Sequence, residues 1–342
     1  MGSAFQELIE RWDGEQVAVR YDADLATWMF IAVHSTRLGS AGGGTRMRVY
    51  TRPEDGLGDA LNLSGAMTRK FAVCDVPRGG GKGVLAVPRL FDGAERIELL
   101  HRYGDFISSL GGLFTTAPDM NTSERDMDVV AERCEYVVCR SADNGGSGST
   151  APATARGVFY GIQASVGGDL RGVRVLVQGV GSVGAILARE LEAAGAEVIV
   201  SDVDPSRVFG QAVEPADVIG TECDVYAPCA AGGVIDSDTV ERLRCRMIAG
   251  AANNQLADPA LADRLHERGI LYAPDYIINS GGVLHGAGRE MLGWDDATVE
   301  SHLRGLGDLL LELYAASDGR SPVHAAEELV ARRLSGSPDR AR

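Results

Sequence analysis

The sequence predicts an α/β protein of two domains, the second of them built on a doubly wound parallel sheet. Its length of 342 residues suits two domains of ordinary size. Near the middle of the chain, a buried apolar run at 175–178 leads into a glycine pattern at 179–184, a helix-forming segment at 185–193 and a second apolar run at 196–200. This order is typical of a βαβ unit, and its late position predicts a whole domain before it.

The elements of the first domain follow from the spacing of apolar residues. Apolar residues that alternate or run together indicate short strands, and apolar residues three or four apart indicate helices. We predict strands at 17–21, 28–34, 46–50, 83–87 and 113–117, and helices at 54–70 and 95–110. They are expected to form a mixed α/β domain at 1–152, which ends near a polar, glycine-rich stretch at 144–150.

The second domain begins with a helix at 153–166 that precedes the βαβ unit. Further strand-like segments extend the predicted sheet, and two long helices close the chain. The strands are expected at 223–226, 247–250 and 270–273, and the helices at 295–316 and 323–334. We place the doubly wound domain at 153–315 and expect a C-terminal helix within 316–342 to return to the first domain.

Each glycine of the 179–184 pattern has a physical role. Gly179 makes the tight turn, Gly181 lets the backbone approach a pyrophosphate, and Gly184 lets the helix pack closely on the strand. The N–H groups at the start of the following helix favour a phosphate at the same place. The sequence therefore predicts a Rossmann-type, dinucleotide-binding domain, the alternative being a glycine-rich turn in another α/β sheet.

Asp202 ends the second strand, where a carboxylate accepts hydrogen bonds from the ribose hydroxyls of NAD. It would repel the 2′-phosphate of NADP, and no arginine follows it directly. Arg207 is close enough in sequence to keep NADP open. We predict NAD as the cofactor, and we expect a cleft between this domain and the first one.

The composition excludes several classes of partner. A net charge of −15 argues against nucleic acid or an anionic membrane, which need a basic surface. No apolar run has the length of a transmembrane helix and no signal peptide is evident, so we expect a cytoplasmic protein. The six cysteines and six histidines show no zinc-binding spacing, and we predict no metal site.

The segment 77–83 contains three glycines before Lys82. It is not a phosphate-binding P-loop, because Val76 replaces the first glycine and Gly83 follows the lysine. We interpret it as a glycine turn that brings Lys82 close to a ligand. In an apolar cleft beside a second lysine, its pKa would fall and make it an acid or base near neutral pH. The alternative is a solvated surface lysine.

Other polar residues follow predicted strands. Asp119 lies just past one strand end, where α/β folds place reactive groups, although this residue taken alone favours a turn or capping role. Asn253, Asn254 and Asn279 follow strands of the second domain. They suit contacts to a nicotinamide amide or a substrate amine, or else local turns.

At this point the motifs resemble those of a known family, the glutamate/leucine/phenylalanine/valine dehydrogenases. The resemblance covers nearly the whole length, with motifs in family order at 42–47, 67–70, 79–82, 118–122, 227–230, 250–254 and 273–276. The short chain and its hydrophobic lining are similar to the leucine/phenylalanine/valine branch. The segment 288–294 looks most like phenylalanine dehydrogenases.

The resemblance implies reversible oxidative deamination of an L-amino acid, with NAD and water, to a 2-oxo acid, ammonia and NADH. By analogy, Lys82 polarises the carbonyl and activates water, and Asp119 shuttles protons to and from the amine. Lys70 and the backbone at Gly43 and Gly44 would hold the substrate carboxylate. The resemblance also implies contacts to the amino acid from Asn279, and to the cofactor from Thr154, Gly179, Gly181, Ser182, Val183, Gly184, Asp202, Ala230, Ala251 and Asn254.

Substrate choice is predicted from the side-chain pocket of the resembling family. Ala117, Pro118 and Val283 occupy pocket positions, and Ala117 and Val283 look like branched-chain enzymes. Gly286 would leave room for a ring. We therefore predict phenylalanine first and leucine or valine second, with an unusual biosynthetic amino acid as a further alternative. A non-catalytic NAD-binding sensor is the distant alternative. The resemblance also suggests a homo-oligomer built through the first domain.

Overall fold

Two sheets organise the chain, one in each of two structural units. The computed structural model describes residues 4–336. The first unit comprises the chain up to Ser149 together with Gly286–Gly293, and the second comprises Thr150–His285 together with the chain from Trp294 onward. Each unit has its own buried apolar core.

The first unit contains a mixed sheet of five strands in the order β1-β2-β4-β3-β5. The strands are β1 (Gln16–Asp22), β2 (Thr27–Ser35), β3 (Ala41–Val49), β4 (Gly79–Val87) and β5 (Phe114–Pro118). The helices are α1 (Ala4–Arg11), α2 (Pro53–Val73), α3 (Gly93–Ser108) and α4 (Glu124–Ala131), and a 3₁₀ turn covers Ala142–Asn144. β2 pairs antiparallel with β1 and β4, whereas β3 pairs parallel with β4 and β5.

Local sequence explains where two of these helices begin. α2 starts with Pro53 at its first position and carries Glu54 and Asp55 in its first turn, where proline fits and acidic side chains favour the helix dipole. α4 starts with a capping box between Ser123 and Asp126. α1 and α4 lie outside the segments that the sequence predicted.

The second unit contains six strands in the order β11-β10-β9-β6-β7-β8, and every neighbouring pair is parallel. The strands are β6 (Arg174–Gln178), β7 (Glu197–Ser201), β8 (Gln211–Ala212), β9 (Val225–Pro228), β10 (Met247–Ile248) and β11 (Leu271–Tyr272). The helices are α5 (Ala151–Ser165), α6 (Gly184–Ala193), α7 (Thr239–Arg242), α8 (Leu261–Glu267), α9 (Asp275–Ile278), α10 (Gly281–Met291), α11 (Asp296–Ala316) and α12 (Pro322–Leu334). Two 3₁₀ turns cover Pro205–Arg207 and Pro215–Gly220. The doubly wound sheet predicted from the βαβ unit is thereby confirmed.

The structure corrects the predicted glycine turn before Lys82. Gly79–Val87 is one continuous strand, β4, and all nine of its residues are buried. A Cβ at Gly80 would lie 2.1 Å from Oγ1 of Thr68, and one at Gly83 would lie 2.1 Å from the Tyr103 hydroxyl. The glycines are therefore required by close neighbours on both sides of a strand, and Lys82 projects from the sheet itself.

The two units differ from the predicted division at two places. α10 is divided between the units, because Gly286–Gly293 is grouped with the first one. α12 is grouped with the second unit, where it contacts α11 and β11, and its return to the first domain stays a prediction. The apolar face of α12 adds Val323 to the core under the parallel sheet.

No helix within residues 4–336 combines the length and apolar character needed to cross a membrane. In the same range, no group of three or more His, Cys, Asp or Glu side chains is arranged to hold a metal ion.

Candidate active site

Lys82, which is buried, and Asp119, which is half-buried, form an ion pair in the first unit. Lys82 lies within β4, and Asp119 follows the end of β5; these two strands flank β3. The Nζ of Lys82 is 3.1 Å from Oδ2 of Asp119, and the side chains are 5% and 18% exposed. The structure thus brings together two residues that the sequence singled out 37 positions apart.

Lysine is rare in this protein, which makes its position informative. The chain has 33 lysine and arginine residues, and the only lysines are Lys70 and Lys82. Both are buried, Lys70 in the last turn of α2 and Lys82 in β4. Buried lysine is unusual in proteins, and arginine supplies every other basic side chain here. A solvated surface position for Lys82 is therefore excluded.

Gly43 and Gly44 sit on β3, between the strands that carry the pair. A Cβ at Gly44 would lie 2.9 Å from Cβ of Asp119 and 3.4 Å from Nζ of Lys82. A Cβ at Gly43 would lie 1.8 Å from the carbonyl oxygen of Gly81. The absence of side chains at these positions lets the ion pair and the backbone of β4 approach β3.

The environment shifts both ionisable groups. Burial lowers the pKa of Lys82; Asp119 opposes that shift, and the charge of Arg46 adds to it. Burial alone would raise the pKa of Asp119, but the charges of Lys82 and Arg46 outweigh burial and hold it well below its usual range. Without substrate, the pair therefore combines a lysine that gives up its proton more readily than usual with a carboxylate that is ionised.

The segment after β5 fixes Asp119 by hydrogen bonds. The backbone N–H of Asp119 donates to Oγ1 of Thr122 at 2.9 Å, and this hydroxyl donates to the carbonyl of Thr45 at 2.7 Å. Asn121 has φ of +59° and its amide donates to the carbonyl of Met47 at 3.0 Å. These hydrogen bonds hold the turn against β3. Asp119 therefore both begins a turn and lies beside Lys82.

The other predicted substrate residues of the first unit lie on neighbouring elements. Ala117 and Pro118 are half-buried in β5, where Ala117 pairs with Gly44 and Pro118 with Thr45. Lys70 follows Thr68 on α2, the helix that packs against β4. Carboxylate binding by Lys70 stays a prediction.

The glycine turn of the second unit has the predicted backbone geometry. Gly179 has φ of +91°, and a Cβ there would lie 2.6 Å from Cβ of Ala230. A Cβ at Gly184 would lie 1.9 Å from the carbonyl oxygen of Gly179, so the tight turn and the close packing of helix on strand are confirmed. A Cβ at Gly181 meets only the Arg207 guanidinium, at 3.7 Å. That open space fits a pyrophosphate, whose binding stays a prediction.

Asp202 is held beside the same turn. Its Oδ2 accepts the N–H of Val180 at 2.8 Å, and its Oδ1 accepts the N–H of Asp204 at 2.9 Å. The carboxylate is half-buried, directly after β7. Ser182 and Val183 precede α6, where Ser182 is exposed and Val183 half-buried. This arrangement suits the ribose and phosphates of a dinucleotide.

Asn279 presents an unpaired acceptor. Its Nδ2 donates to the carbonyls of Ala251 and Ala252 and, at 3.0 Å, to Oδ1 of Asn253. Asn279 is buried, and its Oδ1 has no hydrogen-bond partner among the described residues. Since a buried polar atom without a partner is costly, a donor such as a substrate amine or a cofactor amide fits this atom.

Thr154 and Asn254 are placed by local backbone contacts in the second unit. The Thr154 hydroxyl donates to the carbonyl of Thr150 at 3.0 Å. A Cβ at Gly282 would lie 2.8 Å from Oγ1 of Thr154. Val283, the next residue of α10, is half-buried. Asn254 is exposed, with φ of +50°. Their contacts to cofactor or substrate stay predictions.

We expected glycine at position 286 to leave room for an aromatic substrate ring. The structure gives another reason for the absence of a side chain there. A Cβ at Gly286 would lie 2.4 Å from Sγ of Cys139, so this thiol fills the space. Cys139 has φ of +56°, and its N–H donates to Oε1 of Glu290 at 2.8 Å, as does the N–H of Ser147. The absence of a side chain at Gly286 thus accommodates the 139–147 segment.

Sequence reasoning missed Arg46. It belongs to the 42–47 motif, but only its position in a largely buried strand could have indicated a role. In the structure it contacts Asp119 directly.

Comparisons with known proteins show which family the chain resembles over its length. Residues 16–136 match the family model described as Glu/Leu/Phe/Val dehydrogenase, dimerisation domain, and residues 200–306 match the model described as Glutamate/Leucine/Phenylalanine/Valine dehydrogenase. The chain is 40% identical over 336 residues to leucine dehydrogenase of Geobacillus stearothermophilus, which covers 94% of this chain and 91% of that enzyme. It is 40% identical over 341 residues to valine dehydrogenase of Streptomyces virginiae, covering 94% of each. Among solved structures, L-tryptophan dehydrogenase from Nostoc punctiforme matches with a TM-score of 0.77 at 36% identity, covering 96% of this chain and 98% of that one.

Proposed function

The chain belongs to the Glu/Leu/Phe/Val dehydrogenase family, and we propose that it catalyses the reversible, NAD-dependent oxidative deamination of a hydrophobic L-amino acid to its 2-oxo acid and ammonia. It is an amino-acid dehydrogenase, an oxidoreductase acting on a CH–NH₂ group. One observation carries the proposed chemistry: a buried lysine and a half-buried carboxylate lie 3.1 Å apart beside Gly44, which has no side chain.

In this proposal the two groups move different protons. A hydride leaves Cα readily only from a neutral amine, so Asp119 accepts a proton from the substrate ammonium. NAD, when bound, supplies the hydride acceptor. Lys82 then removes a proton from the water that adds to the iminium carbon. Lys82 passes that proton to solvent. Asp119 returns its own proton to the nitrogen, Lys82 takes the hydroxyl proton, and ammonia leaves as the carbinolamine collapses to the 2-oxo acid.

The remaining residues bind rather than react. We propose that Lys70 and the backbone at Gly43 and Gly44 hold the substrate carboxylate. The free Oδ1 of Asn279 accepts a hydrogen bond from the amine. Gly179, Gly181, Gly184 and Asp202 hold the dinucleotide, with further cofactor contacts from Ser182, Val183, Thr154, Ala230, Ala251 and Asn254.

For the substrate we propose a branched-chain amino acid, leucine or valine, ahead of phenylalanine. Leucine and valine dehydrogenases are among the curated relatives at 40% identity, and Ala117 and Val283 were already predicted to favour branched chains. The main argument for a ring was free space at Gly286, and Cys139 occupies that space. A tryptophan dehydrogenase is also similar, so an aromatic substrate is the second candidate.

NAD is proposed over NADP because Asp202 presents a carboxylate at the end of β7. We also propose a homo-oligomer assembled through the first unit, since the family model matching residues 16–136 is described as a dimerisation domain.

The test is NADH formation by the purified protein with NAD and a panel of L-amino acids: Leu, Val, Ile, Met, Phe, Tyr, Trp and Glu. We expect the highest kcat/KM with Leu or Val. A higher value with Phe or Trp would restore the aromatic prediction. No turnover with any of them, while NADH still binds, would contradict the proposed function and leave an unusual substrate or a non-catalytic sensor.

A further inference from the structure

Arg46 connects the catalytic pair to a second layer of charged groups. It lies on β3, and its side chain is only 11% exposed. Its Nε donates to Oδ2 of Asp119 at 2.9 Å. Its Nη1 donates to both carboxylate oxygens of Asp59 on α2, at 3.1 and 2.9 Å. One guanidinium therefore bridges a carboxylate of the proposed active site and a carboxylate of the helix packed over the sheet.

Asp59 is itself held from a second direction. The hydroxyl of Tyr50, just after β3, donates to its Oδ2 at 2.5 Å. The guanidinium of Arg48 lies over the Tyr50 ring, 5.3 Å from its centre. Asp59 thus has two donors in fixed places, and it anchors the far side of Arg46.

Both cations reach the same oxygen of Asp119. Lys82 approaches Oδ2 at 3.1 Å and Arg46 at 2.9 Å. Two cations on one oxygen restrict the rotation of the Asp119 carboxylate.

We propose that Arg46 is a positioning residue, anchored by Asp59, that holds the Asp119 carboxylate in place whether or not Lys82 carries a proton. The inference rests on the proposed function, in which Lys82 gives up and regains a proton in each turnover. If Lys82 were the only partner of Asp119, that carboxylate would lose its partner whenever the lysine became neutral. A guanidinium stays charged throughout, which a second lysine would not guarantee.

The charges around the pair come from four elements. Arg46 is on β3, Lys82 on β4, Asp119 after β5 and Asp59 on α2, with Tyr50 and Arg48 beside Asp59. Arg46 lowers the pKa of both Lys82 and Asp119, whereas Asp59 raises the pKa of Lys82. Removing Arg46 and removing Asp59 should therefore move the pH profile in opposite directions.

The experiment compares the pH dependence of kcat/KM for deamination in wild type, Arg46→Gln, Arg46→Lys and Asp59→Asn. In Arg46→Gln, we expect the acidic limb of the kcat/KM profile to move to higher pH by about one unit. We also expect kcat/KM to fall about a hundredfold, because Asp119 loses its fixed orientation. While its new ammonium group is protonated, Arg46→Lys keeps the positive charge, and the acidic limb should then stay near its wild-type position. Asp59→Asn should move the acidic limb to lower pH.

Arg102→Gln is the matched control. It removes a partly buried arginine of the same unit that binds Asp22 through both carboxylate oxygens and has no bond to the catalytic pair. It should change the melting temperature without moving the pH profile. Equal profiles in Arg46→Gln and Arg102→Gln would overturn the inference, and so would an upward shift in Asp59→Asn. If Arg46→Gln does not fold, the sign of the Asp59→Asn shift decides alone.

A second readout needs no turnover. Acetylation of Lys82 by acetic anhydride, followed by peptide mass spectrometry across pH, reports the lysine's own titration, and Lys70 is the only other side-chain amine. We expect its midpoint to rise in Arg46→Gln and to fall in Asp59→Asn. If these shifts occur in a protein inactive with every amino acid, the proposed function fails and the arrangement around Arg46 stands. An active wild type without these shifts overturns only the inference.

Discussion

At the scale of single residues, the chain uses lysine and arginine for different purposes. Arginine supplies the surface cations and the permanent charge beside Asp119, and both lysines are buried. A guanidinium does not lose its proton in proteins, but an ammonium does when burial disfavours its charge. The reaction we propose needs a group that changes charge, and Lys82 meets that need where arginine could not.

This contrast gives the first prediction. Lys82→Ala and Lys82→Arg should both lose turnover, by about a hundredfold or more, because a positioned general base contributes about 10²–10⁴. NADH affinity, measured by fluorescence titration, should stay near wild type in both. If Lys82→Arg kept full activity, a fixed positive charge would be sufficient and the base role would be wrong.

The second residue-scale prediction concerns cofactor choice. Asp202→Asn should lower kcat/KM for NAD about ten- to a hundredfold, the usual range for losing hydrogen bonds to a charged group. It should also raise the relative use of NADP, because the carboxylate that repels a 2′-phosphate is removed while the Arg207 guanidinium lies nearby, 3.7 Å from a Cβ placed at Gly181.

Steady-state kinetics with both cofactors measures this change. Adding Arg207→Ala to Asp202→Asn should abolish the gain with NADP, while Arg207→Ala alone serves as the control. A wild type that uses NADP as well as NAD would contradict the role given to Asp202.

Residue types and their order drew attention to Lys82, Asp119 and the glycine turn of the second unit, and the family resemblance assigned roles to Lys82 and Asp119. Arg46 and Cys139 could not be found that way. Their roles depend on which residues from distant parts of the chain lie beside them: Asp59 and Asp119 around Arg46, and Gly286 beside Cys139. Sequence spacing contains no measure of that proximity.

At the scale of elements, apolar periodicity predicted the long helices well and the glycine-rich strands poorly. β3 and β4 contain runs of three glycines each, which resemble turns when considered alone. In the structure both segments are strands. They contain glycine because α2 and the neighbouring strands lie so close that side chains do not fit. Tertiary packing determines the secondary structure of these two segments, whereas the apolar periodicity of the sequence was enough to predict α2 and α3.

The same packing argument separates two glycines of α11. A Cβ at Gly305 meets nothing within 4 Å, but a Cβ at Gly307 would lie 2.8 Å from Cβ of Ala164 and 2.9 Å from the carbonyl oxygen of Tyr160, both on α5. We predict that Gly305→Ala raises the free energy of unfolding by about 0.5–1 kcal/mol, and that Gly307→Ala lowers it by about 1–3 kcal/mol. Urea denaturation followed by circular dichroism measures both, and each variant is the control for the other. Equal effects would mean that α11 does not pack on α5 through Gly307.

At the scale of the whole molecule, the two units divide the proposed reaction. The lysine–carboxylate pair lies in the first unit, and the glycine turn with Asp202 lies in the second. The sequence predicted this division because a βαβ unit is complete within a short segment. It did not predict that Gly286–Gly293 is grouped with the first unit or that α12 is grouped with the second, because those memberships depend on contacts made far along the chain.

The division predicts where NADH protects the protein from hydrogen exchange. At a hundred times its Kd, a ligand stabilises the state that binds it by about 2.7 kcal/mol, which slows exchange through opening of that state about a hundredfold. We expect slowing in β6, β7 and the turn at Gly179–Gly184, measured by mass spectrometry of peptides, and little change in β1 and β2. Gly181→Ala, whose added methyl occupies the open space over the turn, should remove the protection while the melting temperature without NADH stays close to wild type. Slowing confined to the first unit would show that the dinucleotide binds elsewhere, because a site built by β6, β7 and their glycine turn must protect those amides first.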